Sequence, residues 1–181
     1  MGRHEKLKER FKIIPFDTGG GSMGMGFMCR AARQMERAGK SVEEIVKFLE
    51  SMRAKVQVIL TLDKLDYARM SGRVSAISAA VASTLKVKPI AILKDGLLNM
   101  TDKVRTRKAS LDRVIEIGRL YLEQQPVHLA VVHARDLVSG QQLLEKARKV
   151  FNVKSYEITD LSVALAVNLG PGTVGLVLYP A

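Results

Sequence analysis

The chain has 181 residues, 47% of them hydrophobic, enough for one ordinary domain, or one domain with a fragment of another, around a real core. A single Cys29 excludes an internal disulfide and a four-thiolate zinc site, and with only His4, His128 and His133 beside it no protein metal centre is expected. The 29 Lys+Arg against 18 Asp+Glu leave a net charge of +11 that calls for an anionic partner; with no long apolar run and no signal region after Met1, the sequence predicts no transmembrane segment and a cytoplasmic location.

In chain order, Lys12 to Phe16 reads as a strand running through glycines into a helix over Met23 to Ala38. Met25, Met28, Ala32 and Met35 mark one face of that helix, and Arg30, Arg33 and Arg37 the other. Gly39 ends it, and Ser41-Val42-Glu43-Glu44 is a capping box opening a second helix with the apolar stripe Val42, Ile45, Val46 and Leu49. A strand over Val56 to Leu62, a short helix over Leu65 to Met70, a Ser71-Gly72 turn and a small-residue helix over Ser75 to Leu85 follow. Pro89 to Leu93 and Leu97 to Val104 flank Lys94-Asp95-Gly96 as a hairpin, because Asp-Gly supplies the left-handed turn. Leu111, Val114, Ile115, Gly118 and Leu122 lie on the core face of a longer helix. Val127 to His133 reads as a strand, Ser139 as the cap of a helix ending near Phe151, and Lys154 to Ile158, Val163 to Val167 and Thr173 to Tyr179 as further strands. The hairpin among crossover helices predicts an α/β chain with α+β character: a mixed, mainly antiparallel sheet covered by helices.

The glycine-rich junction from Phe16 to Phe27 carries the most chemistry. Glycines admit close approach, and the open N–H groups of a helix start favour a negatively charged group. Gly19-x-Gly21-x-x-Gly24 fits the dinucleotide fingerprint formally, but a second capped helix precedes the next strand and no Gly-Lys-Ser/Thr follows, so a small anionic group suits the junction better than a nucleotide. A plain tight turn is the structural alternative. The methionines with Phe27 suit a core or an adaptable alkyl site. Neither His128 and His133 nor Ser22, Ser75 and Ser83 form a catalytic constellation, and no enzyme is expected. Arg73, set at a glycine turn, can reach a carboxylate or phosphate, or stand as a solvated charge. The run Lys103, Arg105, Arg107, Lys108 has no interleaved aromatics, so specific nucleic-acid binding ranks below other partners.

Taken together, Asp17-Thr18 leading to Ser22-Met23-Gly24-Met25-Gly26-Phe27, then Leu65 to Ser75, Val87-Lys88-Pro89-Ile90, Lys103 to Ala109 and Asn168-Leu169-Gly170-Pro171-Gly172-Thr173-Val174-Gly175-Leu176, resemble the DegV family of bacterial fatty-acid-binding proteins in order and spacing. The resemblance implies a non-catalytic carrier that buries a long-chain fatty acid between two domains and presents its carboxylate to a fatty acid kinase-type protein for acyl-phosphate formation in phospholipid synthesis. It places Ser22, Gly24, Gly26, Phe27, Arg73, Asn168, Gly170 and Thr173 at the lipid site and Arg105, Arg107 and Lys108 on a partner-facing basic surface, with no metal and no cofactor beyond the bound lipid. Two departures stand out. Asn168 replaces the histidine usual in the last glycine-rich turn, and an amide donates a hydrogen bond but carries no charge. Only Met1 to Ile14 precede the Asp-Thr strand, so residues 1–40 resemble the end of a first domain and 41–181 a whole second one. The methionine face of the Met23 to Ala38 helix is then expected to need a partner domain or a second copy. The alternative function is a truncated paralogue that acts as an interaction or regulatory module without lipid.

Overall fold

The computed structural model describes residues 11–71, 74–75, 87–94, 96–122 and 125–181. In chain order these form α1 (Met23–Arg37), α2 (Val42–Lys55), β1 (Gln57–Thr61), α3 (Asp66–Ser71), β2 (Val74–Ser75), β3 (Lys88–Lys94), β4 (Leu97–Val104), α4 (Arg107–Tyr121), β5 (Val127–His133), α5 (Leu137–Val150), β6 (Val153–Asp160), α6 (Val163–Leu169) and β7 (Val174–Pro180). The seven strands make one sheet in the order β2-β4-β3-β1-β7-β5-β6. Only the β2–β4 and β5–β6 pairs are parallel, so the mixed, mainly antiparallel sheet predicted from the hairpin and crossovers is the one observed.

Alternation along β1 divides the core between the two sheet faces. Val58 and Leu60 join Phe27, Met28, Leu49, Met52, Ala68 and Leu169, which brings α1, α2, α3 and α6 onto one face. Ile59 joins Ile90, Leu111, Val114, Leu143 and Leu176 on the other, under α4 and α5. The predicted core face of α4 is buried at Leu111, Val114, Ile115 and Gly118, with Ile117 added.

Caps explain most of the helix boundaries. Ser41 and Glu44 make the predicted capping box, each side chain bonding the other residue's backbone N–H. Thr106 caps α4 by accepting from the Ala109 N–H at 3.1 Å. The start of α5 corrects the expectation for Ser139. Asp136 is the cap, and its Oδ1 accepts from the Ser139 N–H at 3.1 Å, one turn earlier than predicted.

Three further expectations change. Val163 to Val167 is not a strand but the body of α6, because a short apolar run fits either element until a partner decides, and here the strand positions beside β7 are filled by β1 and β5. Lys12 to Phe16 is not a strand, since no described segment forms a ladder with it. The buried stripe of α1 is Gly24, Phe27 and Met28 with Ala31 and Ala32 beside them, a spacing of i, i+3, i+4, i+7, i+8, while Met25 stays 45% exposed. That stripe packs on the chain's own sheet face, while Met25 of the methionine face remains open. The small-residue helix expected over Ser75 to Leu85 falls on residues outside those described, apart from Ser75 in β2.

Candidate functional site at the carboxyl ends of the strands

Strand direction organises the site. The pairings run β1, β2, β4, β5 and β6 one way and β3 and β7 the other. The loops after β1, β4, β5 and β6 therefore gather at one end of the sheet, where they lead into α3, α4, α5 and α6. In α/β sheets this carboxyl end is the usual place for ligands, and helix starts there favour anions.

The turn before β7 is built into this end. Gly170 and Gly172 take φ values of +83° and +78°, which side chains with a Cβ rarely adopt. The fully buried Thr173 hydroxyl lies 2.9 Å from Gly170 O and 3.1 Å from Leu169 O, closing the end of α6. The Gly172 N–H donates to Ala134 O at 2.7 Å, stitching the turn to the loop after β5. Asn168 donates its Nδ2 to Ala164 O at 2.6 Å, within its own helix.

The start of α1 reaches the same region. Ser22 sits at φ +50° and no side chain caps the helix, so the first-turn N–H groups have no side-chain acceptor. Ser22 Oγ accepts from the Ser162 N–H at 3.2 Å, and a Cβ on Gly21 would stand 3.1 Å from Leu165, so α1 and α6 begin side by side. From there Gly24 lies against Val58 and Val56, and Phe27 is buried beneath the Arg30 guanidinium, 5.1 Å from its ring centre. Gly26 is half-buried beside Met23.

The basic residues separate. Arg105 and Lys108 are exposed at the start of α4. Arg107 is turned inward instead of facing outward as expected: Nη2 lies 2.5 Å from Gly172 O, 3.3 Å from Asp136 Oδ2 and 3.5 Å from Asp63 Oδ1, and Lys88 bonds the same Asp63 oxygen. Arg73 lies outside the described residues. The Lys88 hydrogen bond, with the charges of Lys88 and Arg107, holds the Asp63 carboxyl below the usual carboxylate range against the opposing effect of burial. A carboxyl lowered in the folded state contributes stability above its unfolded value, and that contribution disappears as the pH falls through the folded value. Asp63→Asn is therefore expected to remove part of the acid sensitivity of folding below about pH 4. Urea unfolding of both proteins from pH 7 to pH 3 checks this, and parallel stability curves would refute it.

Sequence reasoning missed Asp63, Lys88, Asp136 and Tyr67, whose ring lies against Gly170. Asp63 and Asp136 were signalled by their placement just beyond strand ends, and Lys88 and Tyr67 by lying in motifs that carried the family resemblance, though no role followed for them. A second feature, also missed, is a cleft of about 740 Å³ at the opposite end of the sheet, lined by Thr18, Gly24, Met28, Arg53, Val58 and Leu93 among others. Arg53 spans its rim, donating to Asp17 O at 3.0 Å with its guanidinium 5.8 Å from the Phe16 ring centre. Among the described residues no group of three or more His, Cys, Asp or Glu could hold a metal ion, and no helix is long and apolar enough to cross a membrane.

The profile of the family described as uncharacterised protein, DegV family, matches residues 3–181. The chain belongs to the DegV family. A DegV domain-containing protein of Clostridium acetobutylicum is 30% identical over 97% of this chain and 62% of its own length, and Protein DegV of Bacillus subtilis is 26% identical over 95% and 62%. Among solved DegV structures, a Thermotoga maritima protein whose structure is described as revealing fatty acid binding function superposes with TM-score 0.84 at 26% identity, covering 97% of this chain and 63% of that one. The fatty acid binding DegV family protein of Streptococcus agalactiae gives 0.86 at 26% identity, covering 97% and 62%. The chain thus spans a little over three fifths of the length of these DegV relatives.

Proposed function

We propose that the chain binds a long-chain fatty acid and, without a reaction of its own, presents the carboxylate to a partner kinase for acyl-phosphate formation in the cytoplasm. The observation that carries this reading is the start of α1, which has no side-chain cap and lies beside α6 at Ser22, so that the positive end of the helix faces a carboxylate. The buried face of α1 leads away from that point through Gly24, Phe27 and Met28, so the acyl chain runs along it. Burial of each methylene contributes about 0.8 kcal/mol, which is why a carrier uses an apolar path with a polar mouth. Asn168 and the Gly170–Thr173 turn complete the head-group side, and exposed Arg105 and Lys108, with Arg73, offer cations to the partner. Residues 1–40 and 41–181 are read as parts of two domains. The fatty acid binding named for the Thermotoga maritima and Streptococcus agalactiae relatives supports this reading.

Native mass spectrometry of the chain with and without palmitate and oleate, followed by solvent extraction, tests it. A stoichiometric acyl ligand is the expected result, and a chain that stays empty overturns it. The second reading, an interaction module without lipid, draws on Asn168, whose amide is spent on Ala164. Under the carrier reading, Asn168→His restores a charged donor and tightens palmitate binding about tenfold or more, the worth of a hydrogen bond to a charged group. Unchanged affinity measured by calorimetry would count against a head-group role for position 168.

A further inference from the structure

The Arg107 guanidinium joins three segments distant in sequence: the Gly172 turn, the Asp136 loop after β5 and the Asp63 loop after β1. Its Nη1 is buried with no hydrogen-bond partner among the described residues. Native proteins rarely leave a buried donor unpaired, so this guanidinium is placed for what it fixes rather than for full pairing of its own N–H groups. What it fixes is a relay. Gly172 is wedged against the Asp63 loop, where a Cβ would stand 2.7 Å from that of Asp63. Through Thr173 the turn closes the carboxyl end of α6, and at its other end α6 holds Ser22 through the Ser162 N–H.

We propose that Arg107 is a positioning residue for the anionic head group. By clasping Gly172 to the Asp63 and Asp136 loops it sets α6, and through α6 the uncapped start of α1, in the arrangement that favours a carboxylate over a neutral polar group. The inference rests on the fatty-acid reading above. It assigns Arg107 no contact with the ligand: Asp63 and Asp136 balance its charge, and its contribution is geometric.

The experiment compares the dissociation constants of palmitate and hexadecan-1-ol, which share the chain and differ in the head group, for the full chain and for Arg107→Gln and Arg107→Lys, with thermal unfolding to confirm folding. The expected result is that both variants lose about tenfold of the preference for palmitate and keep their affinity for hexadecan-1-ol. Lysine retains the charge but not the planar fork that reaches several acceptors together. A charge-only contribution therefore leaves Arg107→Lys at the wild-type preference, and that result overturns the proposal. Equal losses for both ligands, as from general loosening, overturn it too. Should Arg107→Gln fail to fold, Asp136→Asn, which keeps the α5 cap while weakening one anchor, is judged by the same ratio. A wild-type chain that binds neither ligand overturns the fatty-acid reading itself, an outcome distinct from unequal behaviour of the variants.

Discussion

Gly170→Ala is expected to destabilise the chain by about 2–6 kcal/mol, two costs adding at one atom. At φ +83° a Cβ is strained, which costs on the order of 1–3 kcal/mol. That Cβ would also lie 2.3 Å from Tyr67 Cδ2 and 2.7 Å from Cγ, so the aromatic ring of α3 must move or the turn must open. Overpacking of this kind adds about 1–3 kcal/mol. For a chain of this size the melting temperature falls by roughly 2–4 °C per kcal/mol. Calorimetry showing a melting temperature within about 2 °C of the parent would contradict the geometry described for this turn. The companion variant Tyr67→Ala relieves the clash but not the strain, so Gly170→Ala in that background is expected to cost visibly less.

The second large effect lies in the middle of the sheet. Leu60 on β1 faces Gly175 on β7, its direct partner, and a Cβ at 175 would stand 2.2 Å from Leu60 Cδ2 and 3.1 Å from Val132 Cγ2. Leu60 is 1% exposed, so Leu60→Ala is expected to cost about 2–5 kcal/mol through lost burial and the void left behind. Gly175→Ala alone is destabilising by overpacking. Combined, the two changes partly fill one another's defect, and the double variant is expected to be more stable than the sum of the singles predicts, by about 0.5–3 kcal/mol. Denaturant unfolding of the four proteins gives this coupling directly, and strict additivity would show that the two side chains do not compete for the same space.

Local chemistry was readable in the sequence where its determinants sit within a few residues. The Ser41/Glu44 box, the β3–β4 hairpin and the apolar face of α4 depend on spacings of two to four residues, and each appears as predicted. The Gly170-Pro171-Gly172 turn is legible for the same reason, because its two glycines announce positive φ, although Asn168 and Leu169, read with it, close α6 instead. Failures came where distant partners decide. The apolar run from Val163 to Val167 carries no period, and only the occupied neighbours of β7 make it a helix. The stripe of α1 was read one position off because methionines stood out as apolar, while Gly24, which lets the helix settle onto Val58, has no side chain to register in a hydrophobic pattern. Arg107 looked like one more exposed cation in a basic run. Its acceptors Asp63 and Gly172 lie 44 and 65 positions away, beyond any local pattern.

The place of β7 has a bearing on synthesis. It follows every other described strand in the chain, yet it lies between β1 and β5, paired with β5 along its whole length and with β1 from Val174 to Leu178. Until it emerges from the ribosome, a nascent chain holds two half-sheets with facing unpaired edges, β1 with β3, β4 and β2 on one side and β5 with β6 on the other. Open edges of this kind invite pairing with other chains, and closure across so long a separation in sequence is slow. The basic surface lends mutual repulsion during that interval, so the same charge that attracts an anionic partner to the finished protein keeps unfinished copies apart.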